Sequence, residues 1–324
     1  MNALACPASL KGVLSAREAA AALAEGLSGA VECPVADGGD GTLDVLAPAL
    51  GGEWREADVS DPLGRPVVAR WLLHDGAALV ESAQAIGLSL VAEDERDPLR
   101  ASSRGLGELL AEVQDADPAE IVVFLGGTAT VDGGAGLMEV LGGFRVPVRA
   151  ACDVRAPLVE AARSFAAQKG ATSEQAAELE RRLLERRSLA PFRGLPGAGA
   201  AGGLGAALAA LGAELVNGAD LVLDLIGFRS RLDGADLVVT GEGTVDRTTW
   251  MGKAPGEVFR LCAERGVRCA LFGGRVVDPP DGVEVYELSG DPARARDDLV
   301  ALGRRLGLVR PVRLRKGLEE LPRD

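Results

Sequence analysis

The sequence predicts an α/β fold: a discontinuous Rossmann-like domain with a parallel sheet, plus an inserted second α/β domain that contains a β meander. Short apolar runs alternate with amphipathic stretches, which is typical of α/β architecture. The alternation is clearest at the two ends, so residues 1–50 and 229–324 are expected to form one domain. After residue 50 the sequence changes to short predicted strands separated by turn signals, and residues 51–228 are therefore expected to form the inserted domain.

The first segment predicts two strands and two helices. Ser15 is expected to cap the first helix, because Glu18 stands at capping-box spacing. A Gly-rich loop separates the second strand from the second helix. In chain order the predicted elements are a strand at Ala3–Pro7, a helix at Ser15–Leu27, a strand at Val31–Val35 and a helix at Thr42–Leu50.

The inserted region predicts a meander followed by helices and one buried strand, and the chain then returns to strand–helix alternation. Asp75-Gly76 is a hairpin signal within the meander. The predicted strands are Glu53–Val59, Val67–Leu73, Ala77–Ser82, Glu120–Leu125, Asp236–Thr240 and Val267–Phe272. The predicted helices are Ser102–Glu112, Glu174–Arg187, Ala200–Leu211, Pro255–Arg265 and Asp291–Leu306.

Composition excludes several classes of function. Lys plus Arg is 35 and Asp plus Glu is 48, giving a net charge of −13, which argues against nucleic acid or an anionic membrane as partner. A single histidine, His74, excludes zinc sites built on several imidazoles and histidine relays. The chain has no 18-residue apolar run and no basic signal-like N-terminus, so we expect neither a membrane span nor a secretory signal. Five cysteines without a CxxC pair are expected to be buried thiols of a cytosolic protein.

Three loops that each follow a predicted strand contain the same residue types, namely glycines, threonines and residues with carboxylate side chains. Glycine exposes backbone N–H groups to a ligand, and a helix N-terminus attracts an anion. A carboxylate would repel a bare phosphate, so the combination indicates Mg²⁺ between them and metal-assisted phosphoryl transfer. The alternative is that these are ordinary Asp-Gly turns and helix caps. The three loops are Ala36–Thr42, Gly126–Gly134 and Thr240–Asp246.

Two lysines are further candidates for binding an anionic group, and two nucleotide-binding motifs bear on the kind of site. Lys11 is expected on the first βα loop and Lys253 just before a helix that opens with proline. At these positions each lysine would meet a phosphate or a substrate carboxylate. The alternative is that both are exposed surface lysines that bind no ligand. Gly197–Gly202 matches GxGxxG but follows no strand, so close helix packing or an anion loop is favoured over dinucleotide binding. A Walker A motif is absent, which excludes a P-loop kinase.

At these loops the chain resembles the bacterial type I glycerate kinases. The matching stretches are Ser9–Gly12, Ala36–Thr42, Gly126–Gly134, Gln168–Ala171, Pro196–Gly205 and Gly241–Pro255. The resemblance implies ATP-dependent phosphorylation of D-glycerate, usually at the 2-hydroxyl, with Mg²⁺, in the cytoplasm, in a cleft between the two domains. The chain departs from the family pattern at Ala8 (usually Asp), Leu10 (usually Phe), Val131 (commonly Asn) and Thr248 (usually Gln).

We therefore expect a glycerate kinase that uses ATP and Mg²⁺. Asp37 is the candidate general base, Lys11 and Lys253 would neutralise phosphate or carboxylate, and Asp132, Glu242 and Asp246 are the candidate metal ligands. The expected substrate- and nucleotide-binding residues, besides Lys253, are Ser9, Gly38, Gly39, Thr42, Gly126, Gly127, Thr128, Thr130, Gly241 and Gly243. The alternatives are a kinase of another small hydroxy acid and a non-catalytic nucleotide- or metabolite-binding relative. The oligomeric state stays open.

Overall fold

The computed structural model describes residues 1–308, so the last part of the predicted terminal domain, 309–324, lies outside the described residues. The strands are β1 (Ala3–Pro7), β2 (Val31–Glu32), β3 (Glu53–Ser60), β4 (Pro66–His74), β5 (Ala77–Glu81), β6 (Glu120–Leu125), β7 (Val148–Cys152), β8 (Glu214–Asn217), β9 (Leu237–Val245), β10 (Arg268–Val276) and β11 (Glu284–Glu287). The α-helices are α1 (Ala16–Gly26), α2 (Thr42–Leu50), α3 (Ser82–Ile86), α4 (Arg104–Asp115), α5 (Ala135–Val140), α6 (Ala161–Phe165), α7 (Ser173–Glu185), α8 (Ala200–Ala210), α9 (Gly218–Leu225), α10 (Phe228–Arg231), α11 (Ala254–Arg265) and α12 (Ala295–Gly307). Short 3₁₀ helices lie at Leu88–Leu90, Glu93–Glu95, Leu158–Glu160, Ala167–Lys169, Arg187–Phe192, Arg247–Trp250 and Pro292–Arg294.

The chain divides into two compact units. Among the described residues, the terminal unit contains Met1–Val35 and residues 227–308, and the central unit contains Ala36–Ile226. The sequence placed these boundaries after residues 50 and 228. The difference at the first boundary assigns the loop that begins at Ala36, together with α2, to the central unit.

The terminal unit is built on a parallel sheet. Over residues 1–308 its strand order is β11-β10-β9-β1-β2, and every neighbouring pair is parallel. Leu23 of α1 and Leu299 of α12 are fully buried with Phe272 of β10 in one core. The predicted α/β fold with a parallel sheet is confirmed here.

Helix α1 begins where the sequence predicts. The Ser15 hydroxyl accepts a hydrogen bond from the Glu18 backbone N–H at 3.2 Å, and the Glu18 carboxylate accepts one from the Ser15 N–H at 2.8 Å. These reciprocal bonds satisfy two amide groups that have no partner inside the helix. The predicted capping box is confirmed.

The third predicted loop, Thr240–Asp246, does not begin where the sequence predicts. The strand expected to end at Thr240 continues as β9 to Val245, so Gly241, Glu242 and Gly243 lie in a strand. The cause is its neighbour β10, which also runs past its predicted end and pairs Gly241 with Phe272 and Val245 with Val276. A glycine is needed at 241, because a Cβ there would overlap Phe272.

The central unit contains the predicted meander. Over the described residues its sheet order is β3-β4-β5-β6-β7-β8, with β3, β4 and β5 antiparallel and the pairs from β5 to β8 parallel. Strands β7 and β8 were not predicted. β8 has four residues, none of them fully buried, and gives little apolar signal.

Two further expectations concern the whole chain. All five cysteines are buried, as predicted. Among residues 1–308, no helix has the length and apolar character needed to cross a membrane.

Candidate active site

Two of the three predicted glycine loops meet in the central unit. A Cβ atom on Gly126 would lie 2.6 Å from the Cα of Gly39, and a Cβ on Gly127 would lie 2.6 Å from the Cβ of Asp40. Both distances are shorter than any real contact, so the backbones can approach this closely only because the residues are glycines. Gly126 follows the buried strand β6, so the loop that begins at Asp37 lies against the carboxyl end of a parallel strand, where α/β sheets bind ligands.

Asp37 presents a carboxylate at this junction. Its side chain is half-buried, and no hydrogen bond or ion pair of that carboxylate occurs among residues 1–308. The position of a Cβ on Gly39 lies 3.8 Å from Asp37 Oδ1 and 3.5 Å from Asp153 Oδ2, so both carboxylates face the same glycine. The backbone of Asp37 is held by close packing on Gly218, where any side chain would overlap the Asp37 carbonyl oxygen. Asp153, just beyond β7, was missed because β7 itself was not predicted.

Lys169 supports the second glycine loop from within. Its side chain is buried, and its ammonium donates to the Thr128 hydroxyl at 3.1 Å and to the Thr130 carbonyl oxygen at 2.8 Å. Burial lowers the pKa of Lys169 to about 8, opposed by the nearby charges of Asp153 and Asp132. The sequence placed Lys169 in a family-like stretch but assigned it no role. Its burial is not readable from the sequence, because the residues on either side of it are exposed.

The Asp132 carboxylate is held by hydrogen bonds from Ser103 and from backbone groups that follow it. Its carboxylate accepts hydrogen bonds from the Ser103 N–H at 2.9 Å, the Ser103 hydroxyl at 2.7 Å, the Gly134 N–H at 3.0 Å and the Gly136 N–H at 3.1 Å. Arg186 donates to the Asp132 carbonyl oxygen at 2.7 Å. These contacts favour a loop-organising role for Asp132 over the metal-ligand role expected from the sequence.

Glu81 lies where β5 meets the start of α2. The carboxylate accepts a hydrogen bond from the Leu43 N–H at 2.6 Å, and the residue is only 2% exposed. Burial raises the pKa of Glu81 to about 7, although the Leu43 hydrogen bond opposes the shift. Thr42, one of the predicted binding residues, donates its hydroxyl to the Gly39 carbonyl oxygen at 2.7 Å and thereby shapes the turn into α2.

The terminal unit carries a second cluster of predicted residues. Glu242 accepts a hydrogen bond from the Thr249 hydroxyl at 2.7 Å and pairs with the Lys253 ammonium at 3.2 Å. Asp246 accepts from the Thr248 N–H at 2.7 Å and the Thr248 hydroxyl at 2.6 Å, and the hydroxyl bond lowers the pKa of Asp246. Lys253 precedes α11, which has a proline in its first turn, as predicted.

Lys11 and Ser9 follow β1. Lys11 is exposed in the loop between β1 and α1, and Ser9 is half-buried. The Ala8 N–H donates to the Gly241 carbonyl oxygen at 2.9 Å, which joins this loop to β9. A Cβ on Gly243 would meet no atom within 4 Å, so Gly243 is the more open of the two predicted β9 glycines.

The donor groups of the site determine whether it could hold Mg²⁺. Within residues 1–308, no three His, Cys, Asp or Glu side chains are grouped so as to hold a metal ion by themselves. Phosphotransferases do not require such a cage, because Mg²⁺ there takes one or two carboxylates, substrate phosphates and water. Asp37 and Asp153 face one glycine, and a carboxylate oxygen there is a ligand of the hard type that Mg²⁺ prefers. The site therefore fits a metal that arrives with a nucleotide.

Comparison with known proteins gives a consistent result. The model of the glycerate kinase family matches residues 3–146 and 143–290. The chain is 37% identical over 305 residues to the glycerate 2-kinase of Escherichia coli K12, covering 79% of this chain and 80% of that protein. It is likewise 37% identical over 305 residues to the glycerate kinase of Bacillus subtilis 168, with the same coverage of both chains.

A solved structure supports the same assignment. The crystal structure of a Salmonella typhimurium LT2 protein, described as a candidate glycerate kinase 2, superposes with a TM-score of 0.79 at 31% identity. The match covers 95% of this chain and 97% of that one. On the family model and these relatives together, the chain belongs to the glycerate kinase family.

Proposed function

We propose that the protein transfers the γ-phosphoryl group of ATP to a hydroxyl of glycerate, with the 2-hydroxyl favoured. The observation that carries the proposal is the half-buried Asp37 carboxylate, which has no hydrogen-bond partner among the described residues and stands where two glycine loops meet. The preference for the 2-hydroxyl rests on likeness to a relative named glycerate 2-kinase. ATP as the donor favours a cytoplasmic location.

Asp37 would act as the general base. It would accept the proton of the glycerate hydroxyl as that oxygen forms its bond to the γ-phosphorus, while the bond from phosphorus to the ADP oxygen breaks. A carboxylate without competing donors is suited to receive that proton. Its backbone, held against Gly218, would fix its position relative to the loop.

The glycine loop after β6 would hold phosphate oxygens. Gly127 is exposed and would offer its backbone N–H, whereas Gly126 is buried with its N–H 3.4 Å from the Ser82 hydroxyl oxygen and would allow the close approach of the loops. Thr128 would add a hydroxyl. Thr130 carries a buried hydroxyl with no partner in the described part of the chain, so a donor remains for a ligand or an ordered water.

The remaining predicted residues have supporting roles in the proposal. Lys11 would meet a phosphate or the glycerate carboxylate from the β1–α1 loop, with Ser9 beside it. Lys253 would do the same at the start of α11, where Glu242 already orients it. Gly243 would keep β9 accessible to a ligand, and Gly241 would keep this strand packed closely on Phe272.

Mg²⁺ would enter with the nucleotide. Asp153, which faces Gly39 beside the general base Asp37, would supply a carboxylate oxygen to it, and the ion would neutralise charge on the transferring phosphoryl group. The metal ligands expected from the sequence, Asp132, Glu242 and Asp246, each accept a hydrogen bond from a protein donor, and Asp153 likewise has an interaction within the chain. Excess EDTA is expected to abolish turnover and added Mg²⁺ to restore it; full turnover in EDTA would remove the metal from the proposal.

One experiment separates this function from its rivals. The purified protein is incubated with Mg-ATP and a panel of small hydroxy acids, ADP release is followed, and the products are identified by ³¹P NMR. Formation of 2-phosphoglycerate supports the proposal, and 3-phosphoglycerate corrects only the hydroxyl. Turnover with another acid alone identifies a different kinase, and nucleotide binding without turnover of any acid identifies a non-catalytic relative.

A further inference from the structure

We propose that Lys169 is a positioning residue of this phosphoryl transfer: its buried ammonium orients the Thr128 hydroxyl as a donor to an anionic oxygen of the ligand and anchors the loop at Thr130. The proposal rests on the proposed function, since it names a group that acts through the phosphate-binding loop. Lys169 itself lies outside the three glycine loops.

The geometry places one cation beneath two residues of the loop. Lys169 ends the 3₁₀ turn Ala167–Lys169 and is 4% exposed. Its Nζ lies 3.1 Å from Thr128 Oγ1 and 2.8 Å from the Thr130 carbonyl oxygen. The two contacts bracket Ala129, so this part of the loop is held at two points by a single side chain.

The direction of the first hydrogen bond decides what Thr128 can do. An ammonium group only donates, so the Thr128 oxygen accepts from Lys169. The hydroxyl proton of Thr128 then points away from Lys169 and is kept as a donor. Without the ammonium, the hydroxyl could rotate and donate to a backbone carbonyl instead. A fixed donor aimed at developing negative charge is the kind of group that stabilises a phosphoryl-transfer transition state.

The charge of Lys169 argues against a purely space-filling role. Removing an ammonium from water is costly unless charges or hydrogen bonds compensate, and an apolar side chain would fill the same volume at lower cost. The carboxylates of Asp153 and Asp132 are near enough to oppose the effect of burial on its pKa. Two hydrogen bonds use two of the three ammonium protons. A second donor, the Thr130 hydroxyl, is buried and unpartnered beside it.

The test is a double-mutant cycle between Lys169 and Thr128. The variants are Lys169→Met, Thr128→Val and the double variant, with Thr128→Ser retaining the hydroxyl. Arg163→Met is the matched control, because it removes one positive charge from an exposed ion pair with Glu180 in the same unit. For each variant, kcat and KM for ATP and glycerate are measured, together with hydrogen exchange of residues 126–130 and the melting temperature.

The expected pattern is specific. Lys169→Met is expected to lower kcat/KM at least 30-fold and to speed exchange in the loop, and Thr128→Val at least tenfold. The kcat/KM of the double variant is expected to stay within threefold of that of the less active single variant, because both changes remove the same oriented donor. Thr128→Ser is expected within fivefold of wild type, and Arg163→Met within twofold.

Other patterns overturn the proposal. Multiplicative losses in the double variant would show that Lys169 does not act through Thr128, and a kcat/KM of Lys169→Met within threefold of wild type would make Lys169 structural only. If Lys169→Met does not fold, the comparison of Thr128→Val with Thr128→Ser decides alone, and equal activity of those two variants contradicts the oriented donor. If the wild-type protein does not turn over glycerate, the proposed function is refuted instead. The Mg-ATP affinities of the same variants would then show whether Lys169 acts through Thr128.

Discussion

The two glycine loops of the central unit look alike in sequence but use their aspartates differently. In the loop at 36–42, the Asp37 carboxylate has no hydrogen-bond partner among the described residues. In the loop at 126–134, the Asp132 carboxylate accepts four hydrogen bonds from backbone and hydroxyl donors. A carboxylate that holds its own loop has little capacity left for a ligand. In the proposed function, Asp37 would therefore accept the proton and Asp132 would maintain the structure of its loop.

The second loop is also supported from outside its own sequence. Lys169 holds Thr128 and Thr130, and Arg186 holds the carbonyl oxygen of Asp132. Gly202 of α8 packs so closely that its carbonyl oxygen accepts the Gly133 N–H at 3.1 Å. In the proposed function, this loop, held at several points, would present the donors, whereas the first loop would present the proton acceptor.

The largest expected effect comes from Asp37→Asn. Asn keeps the shape of the side chain but cannot accept the hydroxyl proton. We expect kcat to fall about 10²- to 10⁴-fold, typical of the loss of a general base. Steady-state kinetics with Mg-ATP and glycerate measures it. Since Asp37 makes no side-chain hydrogen bond to the described chain, the melting temperature should change little, and a kcat within threefold of wild type would remove Asp37 from catalysis.

The next largest effect is on stability and concerns Gly202. Gly202 has φ +72°, and a Cβ there would overlap the Thr130 carbonyl oxygen and lie 2.8 Å from the Cα of Val131. We expect Gly202→Ala to lower the free energy of unfolding by about 3 kcal/mol or more, because backbone must move. Urea unfolding measures the loss.

Gly227→Ala is the matched control for Gly202. Its φ is +66°, but a Cβ there meets no atom within 4 Å. Only the left-handed backbone conformation is penalised, so the expected loss is about 1–2 kcal/mol. Equal losses for the two variants would show that the close contact between α8 and the loop contributes nothing.

A pH effect of similar size is expected from Glu81. Its pKa is raised to about 7 by burial, from an ordinary value of 4.5, so the folded state binds the proton more tightly than the unfolded state does. The free energy of unfolding is therefore expected to fall as pH rises from about 4.5 to about 7, by up to about 3 kcal/mol from this group, and to level off above.

Glu81→Gln isolates that contribution. Gln keeps an acceptor for the Leu43 N–H but does not titrate. Urea unfolding of both proteins at pH 5.5 and pH 8 should show a smaller loss of stability for the variant over that interval. Identical pH dependence would mean that burial does not control the ionisation of Glu81.

The smallest effect is expected from Asp132→Asn. The amide offers one acceptor oxygen in place of two, so part of the set of four hydrogen bonds is lost. We expect the free energy of unfolding to fall by about 1–2 kcal/mol while kcat stays within tenfold. Asp117→Asn, at an exposed turn residue with φ +53°, is the control that should change neither quantity. A loss of kcat above 100-fold without loss of stability would restore Asp132 as a metal ligand.

The sequence predicted the fold better than the site. Elements with strong periodicity or a capping signal were predicted within a few residues, as with α1 and its Ser15 cap or β6. The extension of β9 was missed, because pairing with β10 decides it and neither strand's own sequence does. The glycine loops were recognisable from composition.

What the sequence did not show are the partners of each site residue. Asp37 and Asp132 stand in similar Gly-rich contexts, and only folding brings Ser103 to one of them. Asp153 and Glu81 have no local signal, and the stretch around Lys169 matched the family without indicating a role, since the roles of all three depend on burial and on contacts with distant residues. Sequence patterns report neighbours along the chain, whereas ionisation and positioning depend on neighbours in space.

The most direct test of the division between the two loops is a parallel measurement of phosphoryl transfer by Asp37→Asn and Asp132→Asn. Single-turnover rates with Mg-ATP and glycerate are normalised to the folded fraction of each protein. The account predicts a rate at least 100-fold below wild type for Asp37→Asn and within tenfold of wild type for Asp132→Asn. Equal losses, or the larger loss in Asp132→Asn, would contradict it.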